Sequence, residues 1–101
     1  MTDLSETRAR LDEIDRKLSE LYLERLRLCA DVAEYKISTG KPLYDPEREA
    51  QKIASVRETA DDAFGKDALE ALYRHIMETS RKYQHGLLEK AGVKDGTGAK
   101  A

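Results

Sequence analysis

From Leu4 to Thr39 the sequence contains neither Pro nor Gly, and its apolar residues recur at a heptad interval. Leu4, Leu11, Leu18, Arg25 and Val32 occupy one heptad position, and Thr7, Ile14, Leu21, Leu28 and Tyr35 occupy the interleaved one. This a/d pattern predicts one helix from Leu4 to Thr39, stopped by Gly40 and by the Pro42 that follows. Such a helix is about 50 Å long, whereas a compact globule of this size has a radius of gyration of about 13 Å. A chain of 101 residues cannot cover it alone. The helix needs a partner.

Two shorter helices are predicted beyond it. Asp45 is a good N-cap, Pro46 suits the first helical position, and Glu47 favours the positive end of the dipole. Ala50, Ile53, Val56, Ala60 and Phe64 continue as an apolar stripe that Gly65 is expected to stop. The third helix is expected to open at Asp67, with Glu70 completing a capping box. Its stripe runs through Leu69, Leu72, Tyr73, Ile76, Met77, Ser80, Tyr83, Gln84 and Leu87. No strand-like alternation of any length appears, so the fold class is all-α. One domain is expected over residues 1–91, and the Gly-rich, polar residues 92–101 read as a flexible tail or linker.

Composition narrows the function. Charged residues make up 38% of the chain, the usage of long amphipathic helices, yet the net charge is only -2. Nothing in that balance points to nucleic acid or an anionic membrane, so any positive charge that matters must be placed locally. No apolar run reaches the length of a membrane span, and the N-terminus lacks the apolar core of a secretory signal. The lone cysteine, Cys29, forms no disulfide within the chain and fits a reducing compartment. A cytoplasmic protein is expected.

Three features break the helical patterns. Arg25 sits in the apolar seam, where an unpaired guanidinium is costly. It therefore meets a carboxylate or a ligand anion, acts as a specificity device in a coiled coil, or snorkels to a wet edge. Lys36 shares its face about 16 Å further along, so the two cations can clasp a small anion. Arg8 is about 25 Å from Arg25 on the other side and is turned about 100° around the helix. It can reach such a clasp only from an antiparallel partner chain. Ser80 and Gln84 form an i, i+4 polar pair inside the third stripe, satisfied either by the protein or by a ligand. His75 and His85 lie off the stripe and have no second metal ligand at suitable spacing, so both are expected to be solvated. Cys29 reads as a packed small hydrophobe, and Tyr22, Tyr44, Tyr73 and Tyr83 as core or boundary residues. No phosphate loop, nucleophile elbow or Cys/His cluster is present.

Taken in order, these residues resemble the pattern of the all-helical (type II) chorismate mutases, over roughly Ser5 to Leu88. The resemblance runs through Arg8, Ile14-Asp15, Glu24-Arg25 and Tyr35-Lys36. Its most specific blocks are Tyr44-Asp45-Pro46-Glu47-Arg48-Glu49 and Ser80-Arg81-Lys82-Tyr83-Gln84. It implies conversion of chorismate to prephenate in phenylalanine and tyrosine biosynthesis, by an intertwined homodimer that uses no metal or cofactor. It further implies that Arg25 and the partner's Arg8 hold the substrate carboxylates. Lys36 and Gln84 would donate to the ether oxygen, and Glu49 with the backbone near Asp45 would bind the ring hydroxyl. Arg48, Ser80 and Val32 would complete the wall.

Two other readings stay open at this point. An isochorismate-pyruvate lyase shares the Arg, Lys and Gln positions, but such lyases tend to lose the acidic residues flanking the second-helix arginine, and here Asp45 and Glu49 are both present. A non-catalytic helical dimerisation or regulatory module explains the heptads but not the inward-facing Arg25, Lys36, Ser80 and Gln84. The sequence is equally compatible with a free-standing enzyme and with one module of a fusion, such as one with prephenate dehydratase.

Overall fold

The computed structural model describes residues 3–92 and contains three helices in that span: α1 (Leu4–Thr39), α2 (Pro46–Arg57) and α3 (Ala63–Ala91). Local chemistry sets the ends of α1 where the sequence places them. The Asp3 side chain accepts from the Ser5 N–H, and Gly40 closes the helix at φ 74°. That left-handed conformation favours glycine, because a Cβ there crowds the backbone. The first helix accounts for most of the molecule's 57 Å length and for a radius of gyration of 17.2 Å, well above that of a compact globule of this size.

The boundary between α2 and α3 differs from the expected one. The second helix ends at Arg57 rather than running on to Gly65, and α3 starts at Ala63 rather than at Asp67. Asp62 is the N-cap, and its carboxylate accepts from the Gly65 N–H at 2.7 Å. A Cβ on Gly65 would lie 2.8 Å from that same carboxylate oxygen and 2.9 Å from the Ala60 Cβ. Gly65 therefore makes room for a cap instead of breaking a helix. Phe64, expected on the stripe of α2, sits in the first turn of α3 and is 84% exposed.

Asp67 and Glu70 form no capping box, since both already lie inside α3. They instead grip the end of α2: the Arg57 guanidinium donates to Asp67 at 2.9 Å and to Glu70 at 2.7 Å. Lys66 adds a hydrogen bond to the Arg57 carbonyl at 3.0 Å, which satisfies one of the open carbonyls at the end of α2. The Glu70 carboxylate is held below its ordinary pKa, first by the hydrogen bond from Arg74 and then by Arg57, against the opposing effect of its burial. Asp67, and to a lesser degree Glu70, raise the Arg57 pKa, so Arg57 stays charged through the acid and neutral range. Linkage gives the sign. The Glu70 contribution is whole above the ordinary carboxylate range and is lost as pH falls through the lowered value. The wild-type protein is therefore expected to melt higher than Glu70→Gln at neutral pH, with the gap closing in acid. A gap of constant size in Tm measured against pH would remove Glu70 from the acid response.

The third helix is the hub of the fold, packing on α1 along one side and on α2 along another. A small core joins Ala33 of α1, Leu43 of the connecting loop and Leu88 of α3, with Ile37 and Leu87 against it. Ile53 of α2 and Met77 of α3 are also buried. The part of α1 that packs inside the chain is its C-terminal half, through Leu26, Cys29, Ala30, Ala33 and Ile37. That stripe, centred on Ala33, lies between about 100° and 160° around the helix from Val32, Leu28 and Tyr35. The heptad seam consequently stays open. Leu4, Leu11, Ile14, Leu18, Leu21 and Leu28 are all exposed, Leu18 by 56% and Leu21 by 62%. The tail expected after Gly92 lies outside the described residues.

Candidate functional site

A cavity of about 320 Å³ opens where the C-terminal half of α1, the first turns of α2 and the middle of α3 converge. That volume is at the small end of the range for small-molecule sites. Its walls include Arg25 and Val32 from α1, Asp45 at the cap of α2, Arg48, Glu49 and Lys52 from α2, and Ser80, Arg81 and Gln84 from α3. Seven of the nine residues singled out from the sequence thus meet in one place: Arg25, Val32, Asp45, Arg48, Glu49, Ser80 and Gln84.

Helix geometry explains the convergence. Ser80 and Gln84 lie one turn apart on the face that α3 turns to α1, and both are buried, at 6% and 7% exposure. Each is satisfied inside the protein. The Ser80 hydroxyl donates to the Ile76 carbonyl at 2.9 Å and accepts from Arg25 at 3.2 Å, while the Gln84 amide donates to the Cys29 carbonyl at 2.9 Å. An amide nitrogen carries two hydrogens, so Gln84 keeps a second donor for a ligand.

Arg25 is only half-buried in the single chain. Its contacts are neutral: the Ser80 hydroxyl, the Cys29 sulfur at 3.8 Å and the face of Tyr73, 5.9 Å from the ring centroid. Arg48 and Lys52 stand on the same wall. Among the described residues, none of Arg25, Arg48 and Lys52 has a carboxylate within ion-pair distance. Both acids of the wall are engaged elsewhere. Asp45 accepts from the Arg48 backbone N–H at 3.1 Å, and Glu49 pairs with Arg81. Three cations without an ion-pair partner, against the single unpaired carboxylate of Asp45, leave the wall net positive, and that charge is relieved by a ligand of opposite sign.

Two expected site residues are not on this wall. Lys36 lies one turn beyond Val32, on the same face of α1, and its ammonium donates to the Leu43 carbonyl at 3.1 Å. An ammonium has three donors, so two remain. Arg8 is exposed near the far end of α1. Conversely, Arg81 and Lys52 are on the wall although the sequence reading assigned them no role. Arg81 stands four residues after Met77 and three before Gln84, and Lys52 four after Arg48, the helical spacing that could have found them. His75 is exposed as expected, whereas His85 is half-buried rather than solvated. No cluster of potential metal ligands occurs among the described residues.

A larger recess of about 580 Å³ lies between α2 and α3 and shares Glu49, Met77 and Arg81 with the first cavity. Its two arginines are already committed, Arg74 to Glu70 and Arg81 to Glu49. It offers less to an anion than the smaller cavity does.

The family model for chorismate mutase type II matches residues 7–85, and the matched segment spans all of these positions. This chain belongs to the type II chorismate mutase family. The chorismate mutase of Methanocaldococcus jannaschii is 35% identical over 85 residues, covering 79% of this chain and 86% of that protein. The T-protein of Enterobacter agglomerans is 39% identical over 82 residues, and the bifunctional chorismate mutase/prephenate dehydratase of Aquifex aeolicus 31% over 81. The chain spans only 22% of each of those two proteins. Like the family pattern, the chain is all-helical, and among its described residues no helix is long and apolar enough to cross a membrane.

Proposed function

We propose that this chain converts chorismate to prephenate by a [3,3] rearrangement, as a homodimer with two sites. The observation that carries the reading is the set of three cations without an ion-pair partner, Arg25, Arg48 and Lys52, around a cavity whose wall they leave net positive. Chorismate is a dicarboxylate, and such a wall complements it.

The chemistry asks for little else. The rearrangement is unimolecular and needs neither proton transfer nor a nucleophile. The site must hold a flexible dianion in its chair-like reactive conformer, which is an orientation effect. Donors fixed in a dry site must also meet the negative charge that grows on the ether oxygen as its bond to carbon breaks. Arg25 and the partner's Arg8 hold the two carboxylates, with Arg48 beside them on the wall, and the second amide hydrogen of Gln84 serves the ether oxygen. Lys36 joins it through one of the two donors that its bond to the Leu43 carbonyl leaves free. Glu49 accepts from the ring hydroxyl, while Ser80 and Val32 shape the wall. The retained acids Asp45 and Glu49 favour this reaction over pyruvate elimination from isochorismate.

The dimer follows from the open seam of α1. Six exposed aliphatic side chains along it each gain about 1 kcal/mol when their remaining half is covered. A second copy laid antiparallel covers them and brings its Arg8 toward the cavity. Oligomers of this kind are symmetric, so each chain both donates and receives one Arg8.

The test is loss of chorismate absorbance with the purified wild-type chain and with Gln84→Ala and Lys36→Ala. The wild type is expected to form prephenate. Each variant is expected to lose turnover, by about 2.7–4 kcal/mol of barrier per lost donor, far more than it loses substrate binding. A raised KM at unchanged kcat would remove these two residues from the ether oxygen. Pyruvate release from isochorismate by a protein inert toward chorismate would replace the mutase reading with the lyase.

A further inference from the structure

Arg81 stands on the cavity wall without a part in the reaction as proposed, yet it is the most tightly engaged cation there. Its Nη1 donates to Oε1 of Glu49, and its guanidinium lies over the Tyr44 ring, 4.8 Å from the centroid. Tyr44 directly precedes Asp45, the cap of α2, and Glu49 lies one turn into that helix. One side chain of α3 therefore fastens the start of α2 at two points. The pair is mostly shielded from solvent, with the Arg81 side chain 29% exposed and that of Glu49 23% exposed, so water does not screen it as it would a surface pair.

Two consequences reach the cavity. A glutamate side chain has several rotatable bonds and, left alone, samples many orientations. With Oε1 held by Arg81, the carboxylate has one orientation, and Oε2 is left to accept a hydrogen bond. The second consequence is electrostatic. An uncompensated carboxylate on the wall would repel a dianionic ligand, and Arg81 cancels that charge at its source.

We infer that Arg81 is a positioning residue: it holds Glu49 in the one orientation that accepts from the ring hydroxyl and so keeps the bound ring in its reactive conformer. This rests on the reading of the cavity as a chorismate site. Arg81 itself touches no reacting atom. Its effect on turnover therefore exists only while Glu49 is there to be positioned.

A double-mutant cycle in kcat tests this on the full chain, using Arg81→Met, Glu49→Gln, the double variant and Arg81→Lys. Arg81→Met is expected to lower kcat about tenfold, as misplacement of a group in contact with substrate does. Arg81→Lys, which keeps a cation for Oε1, is expected to recover most of that loss. In the Glu49→Gln background, adding Arg81→Met is expected to change kcat by less than about twofold, since coupled residues are not additive. A purely structural Arg81 would lower activity equally in both backgrounds. Circular dichroism checks folding, and Arg81→Gln takes the place of Arg81→Met if the latter does not fold. Wild-type kcat in the Arg81 variant, or losses that multiply in the double variant, would overturn the inference. A wild-type chain inert toward chorismate would instead overturn the functional reading, and this inference with it.

Discussion

Arg25→Ala is expected to turn over chorismate about two to three orders of magnitude more slowly than wild type, with its helix content and melting temperature preserved. The size follows from removing one partner of a desolvated, hydrogen-bonded charge pair, which costs about 2–5 kcal/mol, at 1.36 kcal/mol per tenfold. The preserved stability follows from what Arg25 touches in the ligand-free chain. Its partners are a hydroxyl, a thiol and an aromatic face, and no carboxylate is left stranded by its loss. Ser80 keeps its hydrogen bond to the Ile76 carbonyl, so no buried polar group is orphaned. A cation held among neutral groups contributes little to folding and can oppose it. Thermal melts of the ligand-free protein provide the check. A melting temperature that falls by ten degrees or so, on the scale of about 4–8 °C per kcal/mol for domains of this size, would make Arg25 a structural residue.

Subunit mixing tests the second large effect. Arg8→Ala and Arg25→Ala proteins are each expected to be inactive as homodimers, and activity is expected to return when the two are unfolded and refolded together. Arg8 and Arg25 lie about 25 Å apart along one helix, so a single chain cannot bring both to one cavity. In a mixed dimer one site lacks both arginines and the other has both intact. Random pairing makes about half of the dimers mixed, each with one whole site, so activity should approach about a quarter of wild type if the arrangement has twofold symmetry. A mixture as inactive as its parents, with exchange verified by mass, would sink the shared site. That result would leave the Arg25 prediction standing, since Arg25 lines the cavity within its own chain.

Much of this molecule is legible one residue at a time. The ends of α1 follow from Asp3, Gly40 and an uninterrupted helical stretch between them, and the start of α2 from Asp45 and Pro46. These are local effects, in which a side chain caps the backbone within three residues of itself, and no tertiary contact is needed. The co-location of Arg25, Ser80 and Gln84 was also within reach, because each is a polar residue set into an apolar stripe at helical spacing. Where a local signal misled, it was at the start of α3. Asp67 with Glu70 three residues on has the pattern of a capping box, and Gly65 reads as a stop until its neighbours are known. The packing of Ala60 and the cap oxygen against Gly65 decides in favour of Asp62.

Which face of α1 meets its own chain could not be read from its periodicity. The heptad stripe is the strongest apolar signal in the sequence, yet the chain packs on a weaker stripe of Leu26, Ala30, Ala33 and Ile37 and leaves the heptads open. Periodicity reports that a face is apolar and not what covers it. Small residues at Ala30 and Ala33 admit the close approach of α3 that the bulkier leucines of the seam would prevent. The partner of Glu49 was hidden for the same reason: a glutamate beside a helix start is explained well enough by the dipole. Only the packing of α3 on α2 brings Arg81, 32 positions later in the chain, within reach of it.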